Sequence, residues 1–293
     1  MPSPRVTVII ATYNWSTVLP CAIESVLNQT MRDFELLVIG DGCTDDSEQV
    51  VTAISDPRLR WINLPVNTGH QAGPNNRGIE EARGEFIAYL GHDDLWLRHH
   101  LQCMTERLDE TGAGVACSLL TRILPGRDIG TPVMPMPEHG MGGPPSCMMY
   151  RRSVTDKIGG WKNYRELTVA PETDLFRRAQ AAGFQVAFVP RLTAIKFPAS
   201  QRKDVYRDRP SHEQAMWLAR IASDPDFEST QLVRMIMADE VTRATPARKL
   251  IRILVEELRT RLAWRLSRRS GHKAIFWGAK GGGIDHTRKY KGL

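Results

Sequence analysis

Along the first 96 positions, short β-branched runs alternate with stretches whose apolar residues recur at helical spacing. Residues 5–11 (RVTVIIA) form a nearly continuous apolar run, as expected of a strand buried on both faces of a parallel sheet. A polar loop, Thr12-Tyr13-Asn14, follows. Ser16 is then expected to cap a helix that carries Leu19, Ala22, Ile23, Val26 and Leu27 on one face, with Pro20 tolerated in its first turn. The pattern repeats as a strand over 34–39, a turn over 41–46, a helix over 47–54 and a strand over 58–64. It repeats again as a loop over 67–73, a helix over 74–82 and a strand over 86–90 that ends on Gly91-His92-Asp93-Asp94. Strands alternating with helices predict an α/β protein with a doubly wound sheet, which binds ligands outside the carboxyl ends of its strands. Tyr13, Asp41 and Asp93 all stand just past such ends.

Beyond this half the pattern predicts a helix over 97–110 and a strand over 115–124. Residues 125–145 are rich in Gly, Pro and Met and read as a long functional or mobile loop. A helix over 172–182, one or two strands over 186–197 and helical sequence from 205 to 271 complete the chain.

Composition narrows the class without naming a function. With 293 residues, 42% hydrophobic and 25% charged, the chain is long enough for a sizeable core and unlike disordered or fibrous sequences. Residues 1–5 lack a secretory apolar segment, and the early apolar run over 6–11 is far short of the ~20 residues that span a bilayer, so a cytoplasmic protein is expected. The five cysteines, Cys21, Cys43, Cys103, Cys117 and Cys147, form no CxxC pair and are expected to be reduced and packed. The net charge of +6 is uneven: residues 247–293 carry 13 Lys and Arg against 3 Asp and Glu, while residues 1–246 carry 26 against 30. Arguments about anionic partners therefore belong to the tail.

Single residues leave the chemistry open. Asp93-Asp94 suits a divalent cation shared with phosphate oxygens, and suits equally the cap of a following helix. Asp41 can accept a hydrogen bond from a base or a ribose, or close an Asx-turn. Tyr13 can stack on a nucleobase or cover the sheet edge.

Their order is more specific. TYN after the first strand, DGCTDDS after the second, N-x-G followed by NNRGIEEARGEFIAYL, and then DDLW together resemble the inverting family 2 glycosyltransferases of GT-A fold, over residues 5–200. A nucleotidyltransferase of similar fold would show a Gly-rich, Arg-containing loop where Asn14-Trp15-Ser16 stands. The resemblance implies a Rossmann-like mixed sheet flanked by helices, with a helical C-terminal extension. It implies transfer of a sugar from a nucleoside-diphosphate-sugar donor to a saccharide or glycolipid acceptor of a surface polysaccharide.

The resemblance also assigns roles by position. Ala11, Thr12 and Tyr13 with the carboxylate of Asp41 would hold the nucleotide base, and His70 would lie against the nucleotide or serve packing alone. Asp93 would bind Mn²⁺ or Mg²⁺ bridging the diphosphate, and Asp94 would support the site or touch the donor sugar. The segment 171–178 (PETDLFRR) resembles the family's catalytic-base element and places Glu172 on the base position; outside that context Glu172 reads as a capping residue. Three positions depart from the family pattern: Gly91 replaces the first Asp of the metal motif, Gly40 begins the DDGS element, and Phe197 stands where relatives often carry a metal-binding His. These departures keep a non-catalytic sugar-nucleotide-binding module open as an alternative.

The expected organisation is a GT-A domain over 1–204, divided into a nucleotide-binding half over 1–96 and an acceptor-binding half over 97–204, and a basic helical extension over 205–293. Within 247–269, Leu250, Ile251, Leu254, Leu258, Leu262 and Leu266 keep helical spacing among eight Arg and Lys. Such a helix can dock its stripe on the catalytic domain, the favoured reading, or lie peripherally on an anionic inner membrane surface. An interaction scaffold acting through this helix is a further alternative. No nucleic-acid partner is expected, because no binding motif accompanies the charge.

Overall fold

The computed structural model describes residues 3–243. The elements run β1 (Val6–Thr12), α1 (Leu19–Leu27), β2 (Phe34–Gly40), α2 (Ser47–Thr52), β3 (Leu59–Asn63), α3 (Ala72–Glu81), β4 (Phe86–Gly91) and β5 (Leu95–Trp96). They continue as α4 (His100–Thr111), β6 (Val115–Arg122), β7 (Thr131–Val133), β8 (Met148–Arg151), α5 (Arg152–Ile158), α6 (Pro171–Ala181) and β9 (Val186–Lys196). Helices α7 (Val205–Asp208), α8 (His212–Ser223) and α9 (Phe227–Arg243) close the described chain.

The strands form one sheet in the order β3-β2-β1-β4-β8-β6-β9-β5, with β7 on β6. The first four strands are mutually parallel, as their continuous apolar runs require. Val8, Ile9 and Ile10 of β1, Leu36 to Ile39 of β2 and Phe86 to Leu90 of β4 are all buried. Helix α3 packs on β1 and β2, and α4 packs on β6 and β9. The strand order reverses at β1, and the carboxyl ends of the strands at such a reversal are where sheets of this kind bind ligands.

Strand β8 turns the sheet mixed: it lies antiparallel between β4 and β6. The sequence reading missed it and α5, since Met148-Met149-Tyr150-Arg151 gives four residues of strand with no alternation, after a Gly- and Pro-rich loop. Its register is set by partners far away in sequence, Ile87 opposite Tyr150 and Ala116 opposite Met149. Two local expectations also shift. Helix α1 begins at Leu19 with Val18 rather than Ser16 at its N-cap, and so has no side-chain cap; Ser16 donates its backbone N–H to Asp45 Oδ2 at 3.2 Å. Residues 186–196 form one strand, irregular where Ser118 and Leu119 face it.

The start of the C-terminal extension is integrated with the sheet. Trp217, Ile221 and Phe227 share a core with Leu95, Leu97, Ile123, Ile195 and Phe197, and Val205 packs with Trp15 and Val18. No described helix is long and apolar enough to cross a membrane. The basic segment 247–269 lies outside the described residues.

Candidate active site

A cleft of about 650 Å³ opens at the carboxyl ends of β1 and β2, within the range of small-molecule sites. Ala11, Thr12, Tyr13 and Asp41 line it, with His70 from the loop before α3. Five of the six residues assigned to the nucleotide from sequence therefore line one cleft, while Asp93 is not part of its lining.

Each wall is held from its own loop. Asn14 adopts a left-handed backbone (φ 47°), which short polar side chains tolerate, and so reverses the chain after β1. Its Oδ1 accepts N–H bonds from Thr44 (2.7 Å) and Asp45 (3.2 Å), tying the first loop to the second. Asp41 is buried, and its Oδ1 accepts both the N–H (3.0 Å) and the hydroxyl (2.7 Å) of Thr68, so it anchors the loop that carries His70. Its other carboxylate oxygen is the one available to a ligand. His70 Nδ1 accepts the N–H of Ala72 at 3.1 Å at the head of α3, and its ring stands edge-on to Tyr164.

Trp15, Gln71, His92, Arg165, Tyr206 and Arg209 complete the lining and were not anticipated from sequence. Trp15 stands edge-on between His92 and Tyr206, with ring centroids 5.2 and 5.9 Å away. His92 Nδ1 lies 3.2 Å from the Ala11 carbonyl and fixes the loop after β4 against β1. No spacing rule connects residue 15 or 92 to residues 165, 206 and 209; only the completed fold does.

The acidic residues gather beside this cleft. Glu172 occupies the first turn of α6, with Pro171 at the start, where an ordinary helix would favour both. Burial pushes the Glu172 carboxyl above the usual range, while its own amide, Lys196 and a hydrogen bond from the Gln71 side chain pull it back. Asp93 is likewise raised, first by burial and then by Asp94, with His92 and Lys196 opposing. Tyr206 is pushed up to about 12 by burial and by Asp93, which sets this cleft residue near the acidic pair.

Asp94 is the more enclosed of the acidic pair. It is fully buried, and its oxygens accept the Ser146 hydroxyl at 2.6 Å, the Lys196 ammonium at 3.1 Å and the Phe197 N–H at 3.1 Å. Asp94 thereby joins the ends of β4 and β9 to the start of β8. Lys196 is held protonated: burial alone would lower it, but Asp94, Asp93 and Glu172 outweigh that.

The two glycine departures have one physical cause. A Cβ on Gly40 would lie 2.5 Å from Asn63 Oδ1 and 2.7 Å from the Trp61 ring. A Cβ on Gly91 would lie 2.8 Å from Asp94 Oδ2, an oxygen already pinned by Ser146 and Lys196. Among the described residues no three His, Cys, Asp or Glu side chains converge as metal ligands. Magnesium is held through one or two carboxylates together with substrate phosphate oxygens; here Asp94 is engaged by three donors and Phe197 is turned into the core, which leaves Asp93 as the carboxylate that would hold such an ion with the donor phosphates.

Residues 7–159 match the model of glycosyl transferase family 2, and the chain belongs to that family. The fold is GT-A. The chain is 40% identical over 127 residues to the succinoglycan biosynthesis protein ExoO of Rhizobium meliloti, covering 43% of this chain and 36% of that protein. It is 33% identical over 117 residues to a GalNAc(5)-diNAcBac-PP-undecaprenol β-1,3-glucosyltransferase of Campylobacter jejuni, covering 38% and 37%. The matched stretches thus span little more than a third of these curated relatives. Among solved structures, S. aureus TarS 1-349 in complex with UDP-GlcNAc superposes with a TM-score of 0.59 at 18% identity, covering 79% of this chain and 71% of that one. The mannosyltransferase PcManGT from Pyrobaculum calidifontis, in complex with GDP-Man and Mn²⁺, gives 0.56 at 16%, covering 98% and 87%.

Proposed function

We propose that this chain is an inverting glycosyltransferase that uses a nucleoside-diphosphate-sugar donor, with residues 1–96 binding the nucleotide and 97–204 presenting the acceptor. The observation that carries the reading is the nucleotide-sized cleft at the carboxyl ends of β1 and β2, lined by Tyr13, Asp41 and His70. Glu172 stands half-buried in the first turn of α6, with its proton affinity raised by partial burial. In the reaction, an acceptor hydroxyl attacks the anomeric carbon while Glu172 takes its proton. The bond to the diphosphate breaks on the opposite face, and its electron pair leaves with the phosphate. A divalent ion held by Asp93 together with the donor phosphates would neutralise the charge that gathers on the leaving diphosphate.

Support for a glycolipid acceptor comes from relatives whose names specify undecaprenol-linked substrates, and support for the donor class from neighbours solved with UDP-GlcNAc and GDP-Man. A lipid-linked acceptor would bring the enzyme to a membrane surface, for which the basic segment 247–269 is the part to test by sedimentation with anionic vesicles. The function itself is tested by incubating the full chain with UDP-glucose, UDP-GlcNAc and GDP-mannose on an undecaprenyl-diphosphate-linked sugar. Product of inverted anomeric configuration by NMR is expected. Nucleotide binding without turnover on any acceptor would make the chain a binding module instead.

A further inference from the structure

We infer that three exposed methionines between β7 and β8, Met134, Met136 and Met141, seat the isoprenoid chain of a lipid-linked acceptor beside the helix that carries Glu172. The inference rests on the glycolipid-acceptor reading above and concerns the part of the acceptor that is not sugar.

The backbone puts the three on one face. Met136 and Met141 stand opposite each other in an antiparallel bridge, each donating its N–H to the other's carbonyl, at 2.8 and 3.1 Å, and Gly140 turns the chain between them at φ 65°. Side chains directly opposite in such a pair lie on the same side. Met134 comes two residues before Met136 with the buried Pro135 between them, so the same alternation brings it to that side. The three are 64%, 38% and 38% exposed. Residues 129–150 hold a single charged residue, Glu138, whereas a quarter of the whole chain is charged, so this face offers apolar contact and little else. Large apolar side chains left open together mark a surface that something covers. Methionine, unbranched and polarisable, moulds itself to a flexible, irregular chain.

The attachment of this hairpin identifies the occupant. Gln180 Nε2 donates to the Pro137 carbonyl at 2.9 Å and Arg177 Nε to the Gly140 carbonyl at 3.2 Å, so both sides of the turn are tied to α6. Glu172 stands five residues before Arg177 on that helix, about 8 Å along its axis. A sugar and its diphosphate bridge a separation of that order, so an acceptor whose hydroxyl meets Glu172 brings its lipid chain to the methionines. An isoprenoid needs no hydrogen-bond partner there, whereas a further run of sugars would leave its hydroxyls facing thioethers.

The test is calorimetric titration of the full chain with farnesyl diphosphate as the isoprenoid probe. Inorganic diphosphate is the chain-free control, excess UDP and GDP fill the donor cleft, and circular dichroism confirms folding. Farnesyl diphosphate is expected to bind about tenfold or more tightly than inorganic diphosphate, the order of one buried apolar side chain. Met134→Gln, Met136→Gln and Met141→Gln combined keep side-chain length and add polarity. They should weaken farnesyl diphosphate about tenfold or more, while UDP and GDP, titrated separately, keep their affinities. Leu at the same three positions should retain most of the farnesyl diphosphate affinity. An unchanged affinity in the folded Gln variant, or a wild type that binds farnesyl diphosphate no better than inorganic diphosphate, overturns the inference. So does sedimentation of the wild type but not the Gln variant with neutral phosphatidylcholine vesicles, which would make the bilayer itself the occupant. Loss of a dimer in the Gln variant by light scattering would make the occupant a second copy and overturn it too. If the triple Gln variant does not fold, Met134→Gln alone, at the most exposed of the three, decides: it should weaken the probe about threefold, and an unchanged affinity overturns the inference. Failure of the donor reading shows separately, as a folded wild type that binds neither UDP nor GDP.

Discussion

The two halves of the sheet hold their functional residues in different ways. On the parallel side, Tyr13, Asp41 and His70 sit on loops that follow their own strands, and the bonds that fix them mostly join neighbouring loops, such as Asn14 to Thr44 and Asp41 to Thr68. On the mixed side, one buried carboxylate, Asp94, gathers Ser146, Lys196 and Phe197 from more than 50 positions away. The first arrangement is modular, so a change in it is expected to alter ligand affinity and spare the fold. The second is cooperative, so a change should reach stability and chemistry together.

The largest effect should come from the mixed side and from chemistry. Glu172→Gln removes the proton acceptor but keeps the shape and a partner for Gln71, so transfer should fall about 10²- to 10⁴-fold with nucleotide affinity unchanged. Full activity in this variant would remove Glu172 from the base role. In the wild type, because burial raises the Glu172 carboxyl, the deprotonated base is lost as pH falls, and the acid limb of kcat/KM should lie above the ordinary glutamate value of 4.5. A limb at or below that value would contradict a half-buried base.

Next in size, Asp94→Ala would strand the Lys196 ammonium and leave the Ser146 hydroxyl and the Phe197 N–H without their acceptor. Breaking a buried pair of this kind costs about 3 kcal/mol or more. Chemical denaturation should register that loss, whereas Asp41→Ala on the parallel side should cost less stability and weaken nucleotide binding about tenfold, the order of one or two hydrogen bonds. Equal losses of stability in the two variants would erase the distinction between the halves.

The same contrast sets what could be read before the structure was known. The βα units and the ends of β1, β2 and β4 follow from local periodicity, and residues just past those ends face the crevice by topology, which is why Tyr13, Asp41 and Asp93 could be picked out. Asp94 could not be separated from Asp93 by sequence, because burial beneath Ser146 and Lys196 depends on β8 and β9. Strand β8 has too few residues to show a period, and Lys196 differs from any exposed strand-end lysine only through its long-range partners. Gly40 and Gly91, departures when seen as motif positions, become packing requirements once Trp61, Asn63 and Asp94 surround them.

The smallest expected effect probes the junction that carries β9. His100, at the start of α4, is fully buried, stacked 4.0 Å from Trp96, with Nδ1 2.7 Å from Thr193 Oγ1 and no partner for Nε2 among the described residues. Burial, then the neighbouring His99, hold it well below the ordinary value of 6.5, so the folded protein keeps the ring neutral. The unfolded chain takes up a proton below about pH 6.5 and the folded chain does not, so stability falls as pH drops through that point, by up to about 1.4 kcal/mol per pH unit. His100→Phe keeps the stack on Trp96 but cannot titrate. Relative to the wild type, its unfolding free energy should lose about that much less per pH unit between pH 6 and 5. Identical slopes would mean that the ring charges in place, and that the packing between α4 and β9 is looser than the Thr193 contact indicates.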